Sequence, residues 1–209
     1  MNYSKVNISI VILFIFHVVG VVGLSSDYQD LFLRLTPLNL LLSLGLFFWA
    51  NNDFSVQFYK VVAILFALGF LVEVIGVSTG VLFGEYTYGA TLGFKLFETP
   101  LMIGVNWILL SLASFGISSF FLKKQLPIIL LSSLLMVLMD VLIEPIAISL
   151  DFWTWALGDI PLQNYVMWFF VSFIMNAIMS FNRLKIDYRI SFGLLLSQIL
   201  FFTLLSLSL

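Results

Sequence analysis

Residues 127–148 read P-I-I-L-L-S-S-L-L-M-V-L-M-D-V-L-I-E-P-I-A-I, and this stretch decides the fold class of the protein. It is mostly apolar, and its length matches the roughly 20 residues with which a helix crosses the hydrocarbon core of a bilayer. A strand of a membrane barrel would instead alternate apolar and polar residues. The stretch therefore predicts a transmembrane helix, and this helix carries two acidic side chains, Asp140 and Glu144.

The composition of the whole chain supports this interpretation. Of its 209 residues, 62% are hydrophobic and 10% are charged, and the mean hydropathy is +1.14. An average soluble domain is about half apolar and about a quarter charged. These values exclude a soluble enzyme, a disordered protein and a nucleic-acid-binding protein. The net charge of -2 gives no reason to expect a polyanionic partner.

Six further stretches have a similar length and apolar character. We predict an all-α, polytopic membrane helix bundle that forms a single domain over residues 1–209. The sequence has no evident internal repeat, and its main irregular segments are residues 84–93 and 149–162. The predicted helices lie at about 6–24, 33–50, 60–80, 99–121, 127–148, 163–182 and 191–208.

The basic residues predict the orientation of these helices. Arg34 and Lys95 fall on one side of the membrane, and seven other basic residues fall on the side of the N-terminus. Cytoplasmic loops are enriched in Lys and Arg, so we expect a cytoplasmic N-terminus in a multi-pass protein of the cell (inner) membrane. A cleaved signal peptide is the alternative for the first helix, but its apolar run is long and lacks an A-x-A-like site. The seven basic residues are Lys5, Lys60, Lys123, Lys124, Arg183, Lys185 and Arg189.

Four carboxylates, those of Glu73, Glu98, Asp140 and Glu144, fall within or at the ends of predicted helices. An ionisable group in the hydrocarbon region costs about 3 kcal/mol by insertion scales. At 1.5 Å per residue, Glu73 and Asp140 lie about 20 Å from the cytoplasmic ends of their helices and Glu144 about 26 Å. Glu98 begins the fourth helix on the outer side. We therefore expect all four in the outer half of the bilayer, in one polar pocket.

Asp140 and Glu144 are four residues apart and share a helix face. Two neighbouring carboxylates in a poor dielectric cannot both ionise cheaply, so we expect one of them to hold a proton at neutral pH. A protonated acid beside an ionised one is used in acid–base catalysis. The alternative is that the acids fasten helices by pairing with Arg34, Lys95 or tyrosine hydroxyls. No Lys or Arg lies in the middle of a span to neutralise them, which disfavours that alternative.

Several other side chains lie at the level expected for the acids. Trp107 and Trp168 are deeper than the usual interfacial belt, and an electron-rich ring beside an acid pocket can stabilise a cation. The amides of Asn106 and Asn164 can bind a water or a carboxyl proton, but amides also link helices. We interpret His17, the only histidine, as a packing residue. A chain with one His and no Cys lacks the residues of a His-cluster or thiolate metal site, and we expect no metal.

Four motifs together resemble the membrane carotenoid-biosynthesis family that includes bisanhydrobacterioruberin hydratase and other carotenoid 1,2-hydratases. Their order and spacing carry the resemblance, which spans residues 73–168. Outside that range only the hydrophobicity is similar. The motifs are E-V-I-G-V-S-T-G-V-L-F-G-E-Y-T-Y-G (73–89), F-E-T-P-L-M-I-G-V-N-W (97–107), D-V-L-I-E-P (140–145) followed by W-T-W (153–155), and I-P-L-Q-N-Y-V-M-W (160–168).

The resemblance implies that the protein adds water to the terminal C1–C2 double bond of an acyclic carotenoid end group. Such hydration needs a proton donor, surroundings that tolerate a tertiary carbocation, and one positioned water, but no metal or redox cofactor. We hypothesise that Asp140 or Glu144 protonates the alkene and that Glu73 or Glu98 assists with water. The polyene would arrive through the lipid bilayer, and other carotenoid-pathway enzymes are expected contacts. The candidate binding residues are Trp107, Trp168, Asn106, Asn164, Thr79, Tyr86 and Trp153.

Two other functions remain open at this point. A carotenoid end-group cyclase would begin with the same protonation, but an internal double bond would trap the cation instead of water. A proton-coupled membrane transporter would use intramembrane carboxylates to bind protons, often within inverted repeats. A retinal-binding receptor is excluded because residues 191–209 contain no Lys for a Schiff base.

Overall fold

The structure, a computed structural model, describes residues 3–208. Over this range the chain forms seven helices, each long and apolar enough to cross a membrane, which confirms the predicted multi-pass bundle. The largest differences from the predicted bounds are at the second and third helices, which begin at residues 29 and 56 instead of 33 and 60. The helices are α1 (Tyr3–Leu24), α2 (Gln29–Asn51), α3 (Val56–Thr79), α4 (Leu101–Phe121), α5 (Gln125–Ser149), α6 (Leu162–Phe181) and α7 (Tyr188–Ser208).

Helix α4 occupies the centre of the bundle. It packs against α2, α3, α5, α6 and α7, and 78% of its most apolar stretch is buried, against 17% for α2. The surrounding helices expose large apolar side chains such as Leu38 and Phe170 on their outer faces. In a bilayer these faces contact lipid, because no hydrophobic penalty arises when an apolar side chain faces acyl chains.

Local signals define both ends of α3, the helix that carries Glu73. At its start, the hydroxyl of Ser55 accepts a hydrogen bond from the amide of Phe58 at 3.1 Å and caps the helix. At its end, Gly80 adopts φ +66, a left-handed conformation that glycine reaches without strain. The helix therefore stops shortly after Glu73, and the chain turns into the segment that covers it.

The chain also forms four short strands: β1 (Tyr86–Tyr88), β2 (Lys95–Leu96), β3 (Thr99–Pro100) and β4 (Trp153–Trp155). Only β1 and β4 lie in the segments expected to be irregular, residues 84–93 and 149–162. β1 and β4 pair antiparallel, with Tyr86 opposite Trp155 and Tyr88 opposite Trp153. We call this pair the ribbon. It joins the α3–α4 loop to the α5–α6 loop, which lie at the same end of the bundle, and we call that end the ribbon side.

The second pair of strands corrects the predicted start of the fourth helix. β2 and β3 form a hairpin in which Lys95 lies opposite Pro100 and Leu96 opposite Thr99. Helix α4 therefore begins at Leu101, and its N-cap residue Pro100 is extended, with φ -66 and ψ 136. Glu98 lies in the hairpin turn with φ +59, outside the helix.

Candidate active site

Glu73 lies near the ribbon-side end of α3 and accepts three hydrogen bonds from aromatic side chains. Its Oε2 accepts from the hydroxyls of Tyr86 at 2.5 Å and Tyr88 at 2.6 Å. Its Oε1 accepts from the indole Nε1 of Trp107 at 2.9 Å. The side chain is buried, with 3% of its surface exposed. Three donors therefore replace the water that a carboxylate would otherwise bind.

Glu144, near the ribbon-side end of α5, has a corresponding set of donors. Its Oε2 accepts from the indole nitrogens of Trp153 at 3.0 Å and Trp155 at 2.9 Å. Its Oε1 accepts from the amide Nδ2 of Asn164 at 3.1 Å. All three donors to Glu144 are N–H groups, whereas Glu73 accepts from two hydroxyls and one indole N–H.

Asp140 is bound differently, although it lies one turn from Glu144 on the same helix. Its Oδ2 accepts from Nδ2 of Asn164 at 2.8 Å, so one amide bridges the two carboxylates. The residue is completely buried, and among residues 3–208 no group forms a hydrogen bond with its Oδ1. A protonated carboxyl has an O–H to donate at this position, whereas an ionised one would leave a buried charge with a single donor.

These contacts reveal an internal correspondence that the sequence does not display. The first unit comprises α3, β1 and α4, and the second comprises α5, β4 and α6. In each unit the first helix carries a glutamate, the strand supplies two aromatic donors at alternate positions, and the next helix supplies a third donor. The sequence has no evident repeat, but the structure contains two similar sets of three donors, one around each glutamate. We call each set a cradle.

The ribbon carries the aromatic donors because its strands alternate. Tyr86, Tyr88, Trp153 and Trp155 are buried beneath it, whereas the intervening threonines are exposed. Burial is the main cause that raises the pKa of Tyr86 and of Tyr88, and the neighbouring Glu73 raises both further. The two tyrosines therefore remain protonated and donate to Glu73 at any physiological pH.

A pair of stacked indoles forms one wall of the site. The rings of Trp107 and Trp168 lie 3.9 Å apart between centroids, at an interplanar angle of 19°. Gly69 on α3 permits this position, because a Cβ at that residue would lie 2.7 Å from Cβ of Trp107. Gly69 is one turn before Glu73, as Asp140 is one turn before Glu144. The two units therefore differ at this position.

A small cavity of about 20 Å³ lies between the two glutamates. It has room for about one water molecule. Polar groups face it from both units, including Glu73, Glu144 and Asn164, together with aromatic rings such as Tyr88 and Trp168. A water held there would find both hydrogen-bond donors and acceptors.

A much larger cavity of about 560 Å³ adjoins the small one, because Ile103 and Trp153 line both. Its walls are mostly apolar and come from α1, α2, α4, α5, α7 and the segment around β4. Two of its lining residues, Phe16 and Leu38, are 48% and 61% exposed on the apolar surface of the bundle. The cavity therefore extends from the carboxylate site towards the face that contacts lipid.

Comparisons with known proteins agree with this architecture. The sequence pattern of a family described as "Carotenoid biosynthesis protein" matches residues 37–209. The chain belongs to the carotenoid biosynthesis protein family. It is also 32% identical over 105 residues to the bisanhydrobacterioruberin hydratase of Haloarcula japonica, an alignment that covers 46% of this chain and 36% of that relative. The chain thus spans about a third of the length of this relative, and no solved structure matches the chain.

Most of the residues predicted for the site of this carotenoid biosynthesis protein come together. Asn106 contributes to the large cavity rather than to the carboxylate site. Among the described residues, no group of three or more His, Asp and Glu side chains is arranged to hold a metal ion. The residues that meet at the carboxylate site are Glu73, Asp140, Glu144, Trp107, Trp168, Asn164, Tyr86 and Trp153.

Two predicted residues lie elsewhere. Glu98 is exposed in the turn between β2 and β3, because the chain forms a hairpin there instead of the first turn of α4. Thr79 is exposed in the last turn of α3, and its hydroxyl donates to the carbonyl of Ile75 at 2.6 Å. A hydroxyl already bonded within its own helix and facing outward does not reach the site.

Tyr88 and Trp155 are site residues that the sequence analysis missed. Each lies two positions from a residue that was predicted, Tyr86 or Trp153. Alternate residues of a strand point to the same face, so the Y-T-Y and W-T-W patterns contained the signal. Both patterns lie in segments that the sequence predicts to be irregular, where no alternation is expected.

Proposed function

We propose that this protein is a carotenoid hydratase that adds water to the terminal C1–C2 double bond of an acyclic carotenoid end group. Membership of a carotenoid biosynthesis family and a hydratase relative of partial coverage support the substrate class. The carboxylate site supports the chemistry. It offers acidic groups, aromatic faces and room for a water in a region otherwise lined by apolar side chains, and it needs no redox step.

The Asp140–Glu144 pair supplies the proton. The two carboxylates share the amide of Asn164, and Asp140 has a buried oxygen free of any bond to the described residues. One proton on the pair relieves the repulsion between two neighbouring negative charges. Glu144 lines the small cavity, so the pair delivers its proton to C2 of the alkene at this face.

Protonation leaves a tertiary carbocation at C1, and the site is arranged to stabilise it. Glu73 is held in place by three donors before the reaction begins, so little reorganisation is needed when positive charge develops. The stacked rings of Trp107 and Trp168 and the ring of Trp153 add aromatic faces. The three hydrogen bonds also hold the oxygens of Glu73 in place, so that Glu73 does not form a covalent bond with the cation.

The small cavity holds the water that completes the reaction. A lone pair of this water forms the C1–O bond, and one of its protons passes to Glu73. Return of that proton to the Asp140–Glu144 pair through the emptied water position restores the starting state. The net change is the addition of one H₂O, with no electron gained or lost.

The observation that most favours hydration over cyclisation is the polar cavity of about 20 Å³ between Glu73 and Glu144. Both reactions begin with the same proton, and they differ in whether a water is present to trap the cation. A cavity with room for about one water, lined by two carboxylates and an amide, favours trapping by water. Membership of a biosynthetic family likewise favours an enzyme over a proton-coupled transporter.

The proposal also includes the orientation of the protein in its membrane. The seven-to-two distribution of basic residues supports a cytoplasmic N-terminus, with the ribbon side at the outer face of the cell membrane. The polyene then enters from the bilayer through the large cavity. Its reacting end reaches the carboxylates near Trp153, and contacts with other carotenoid-pathway enzymes would occur along the lipid-facing surface.

Expression in a lycopene-producing host, followed by mass spectrometry of the pigments, tests this function. Hydration adds the mass of one water per reacted end, whereas cyclisation leaves the mass unchanged. Glu144→Gln should abolish the product, and the matched control Glu98→Gln should retain it because Glu98 is exposed and outside the site. Isomers of unchanged mass would establish the cyclase, and full activity of Glu144→Gln would refute the assignment of the proton.

A further inference from the structure

The interface between α4, α5 and α6 contains polar side chains that the proposed reaction does not use. Ser111, Ser114 and Ser118 follow one face of α4, because they are spaced three and four residues apart. Ser172 and Asn176 lie one turn apart on α6. All five side chains are completely buried, and we call them the seam. A buried polar group costs free energy unless it is hydrogen-bonded, so the seam needs partners.

Met136 of α5 lies between the two helices of the seam. Its Sδ lies 3.6 Å from Oγ of Ser111 on α4 and 3.6 Å from Nδ2 of Asn176 on α6. Met136 is one turn before Asp140 and farther from the ribbon, because α5 runs towards the ribbon side. The seam therefore lies next to Asp140, on the side of this acid that faces away from the ribbon.

Most polar atoms of the seam have no hydrogen-bond partner among residues 3–208. They include Oδ1 of Asn176, a buried acceptor. By contrast, the buried hydroxyl of Ser133 on α5 donates to a carbonyl of its own helix at 2.7 Å, as serines in helices commonly do. Buried groups without such a bond are normally completed by water or a ligand. The seam hydroxyls without a partner are those of Ser114, Ser118 and Ser172.

Asp140 ends this series of unpartnered atoms. Its Oδ2 accepts from Asn164, which lies towards the ribbon, and its buried Oδ1 has no partner among the described residues. Counted from Gln125, Asp140 lies about 23 Å from the start of α5. Ser118 lies about 5 Å from the end of α4 at Phe121, on that same side of the bundle. The seam therefore covers much of the distance between Asp140 and the side opposite the ribbon.

The ribbon covers the acids from the other side, and its four inward-facing aromatic side chains are each no more than 7% exposed. Between Asp140 and the side opposite the ribbon, α4, α5 and α6 carry no ionisable side chain. A proton that moves along the seam therefore meets no side chain that could retain it before Asp140. The titratable groups that face Asp140 lie towards the ribbon and are Glu144 on α5, Tyr165 on α6, Glu73 on α3, and Tyr86 and Tyr88 on β1 beside Glu73.

We propose that the seam binds a row of water molecules, through which Asp140 exchanges its proton with the side of the membrane opposite the ribbon. The waters donate to Oδ1 of Asn176 and bond to the three unpartnered hydroxyls. A hydronium ion at the far end loses one proton for each proton that Oδ1 of Asp140 gains, and no electron is transferred. Because hydration returns the proton that it uses, the route sets whether the acid pair is protonated before turnover. That use rests on the proposed function, whereas the route rests on the seam alone.

Single cysteines test the row of water, because the sequence contains no Cys. Sealed vesicles captured through a tag on the N-terminus turn the side opposite the ribbon outward, since α1 runs towards the ribbon. Ag⁺ added outside binds a thiolate that water reaches, and it blocks later labelling by a maleimide in denaturant. Ser118→Cys and Ser114→Cys should both be blocked.

Ser197→Cys is the matched control for these two variants. Ser197 is 3% exposed, lies on α7 outside the seam, and donates to the carbonyl of Gly193 at 2.8 Å. The control should still react with the maleimide after treatment with Ag⁺. Size-exclusion chromatography checks folding, and each test position stands if the other variant fails to fold. Full labelling of both Ser118→Cys and Ser114→Cys, or equal blocking of the control, would overturn the proposal.

Exchange of the Asp140 proton with D₂O tests the route itself. Infrared spectra of the purified protein should contain a carboxyl band that disappears in Asp140→Asn and shifts when D₂O replaces water. Asn176→Leu should slow this shift about tenfold, because one hydrogen bond to water is lost from the route. Ser132→Ala should exchange at the wild-type rate, since the hydroxyl of Ser132 already donates to the carbonyl of Ile128 at 2.7 Å. A wild-type spectrum without the band, or wild-type exchange in Asn176→Leu, would contradict the route.

The outcomes separate this inference from the proposed function. Blocking of Ser118→Cys and slow exchange in Asn176→Leu, without any hydrated pigment in the lycopene-producing host, would support the seam while the proposed function fails. Hydrated pigment made by a protein whose Ser118→Cys and Ser114→Cys variants are not blocked would support the function and overturn the seam.

Discussion

The first and second units hold their glutamates in the same way, but they differ one turn earlier on the helix. In the first unit that position is Gly69, against which Trp107 packs. In the second it is Asp140, whose carboxylate shares Asn164 with Glu144. One unit therefore places an indole where the other places a second acid. In the proposed mechanism, this difference assigns the proton to the second unit and leaves the first with a single carboxylate.

The difference between the two units also fits the proposed hydration, in which the two sides of the alkene need different groups. Hydration needs a proton donor on one side of the alkene and an acceptor for a water proton on the other. Glu73, which accepts three hydrogen bonds and has no acid one turn earlier on its helix, suits the second task. A glutamate beside a buried aspartate suits the first. Four predictions test this division, from the largest expected effect to the smallest.

Asp140→Asn should have the largest effect. An amide has no acidic proton to supply, so turnover should fall about 10²–10⁴-fold, the range for loss of a general acid or base. Product formation by the purified variant measures this effect. The control is Ser133→Ala on the same helix, whose hydroxyl is buried and donates to the carbonyl of Ile129 at 2.7 Å. Wild-type turnover in Asp140→Asn would remove the functional distinction between the units.

Glu73→Gln should lower turnover by about tenfold to a hundredfold, because it removes one proton acceptor but leaves the proton donor intact. The products of this variant should also change. A cation that meets a poorly positioned water loses a proton or cyclises instead, so pigments of unchanged mass should accumulate. A variant with lower turnover but only hydrated product would assign Glu73 to substrate binding and not to the water.

Gly69→Ala should reduce stability more than catalysis. The added Cβ would lie 2.7 Å from Cβ of Trp107, and overpacking of this kind costs about 1–3 kcal/mol of unfolding free energy. Thermal unfolding in detergent measures the change. Gly45→Ala on α2 is the control, because nothing lies within 4 Å of its added Cβ. Equal melting temperatures for both variants would mean that Trp107 moves freely and that the stacked wall is not fixed.

Tyr88→Phe and Trp155→Phe should have the smallest effects on turnover, because both leave all three carboxylates in place, and they should have similar effects on stability. Each removes one of three donors to a glutamate, worth about 1.5–3 kcal/mol for a bond to a charged group. Matched losses of stability in the two variants would support the equivalence of the cradles. A much greater loss for Trp155→Phe would indicate that the second cradle is the more dependent on its donors, and the units would then be alike in geometry only.

A large part of this protein could be predicted from its sequence. The seven helices follow from the lengths of apolar stretches, a property of neighbouring residues that needs no knowledge of the rest of the chain. The depth of Glu73, Asp140 and Glu144 follows from counting residues along those helices, because the rise per residue is constant. The motifs between residues 73 and 168 contained the family resemblance.

The predictions failed where a short segment takes its structure from a distant one. Glu98 was placed at the start of a helix, but the hairpin of β2 and β3 occupies that position. The two ribbon strands have three residues each, too few for a reliable alternating pattern, and Tyr88 and Trp155 were therefore missed. Thr79 is a predicted binding residue, but its side chain is exposed in the last turn of α3.

By itself, the sequence determined that the chain crosses a membrane about seven times and that acids remain inside it, since both depend on local hydrophobicity. Only the tertiary structure decided which groups surround those acids. It paired β1 with β4, gave each glutamate three donors, and left an oxygen of Asp140 without a partner among the described residues. A buried carboxylate takes its chemistry from the groups that surround it, and those groups come from parts of the chain far apart in sequence.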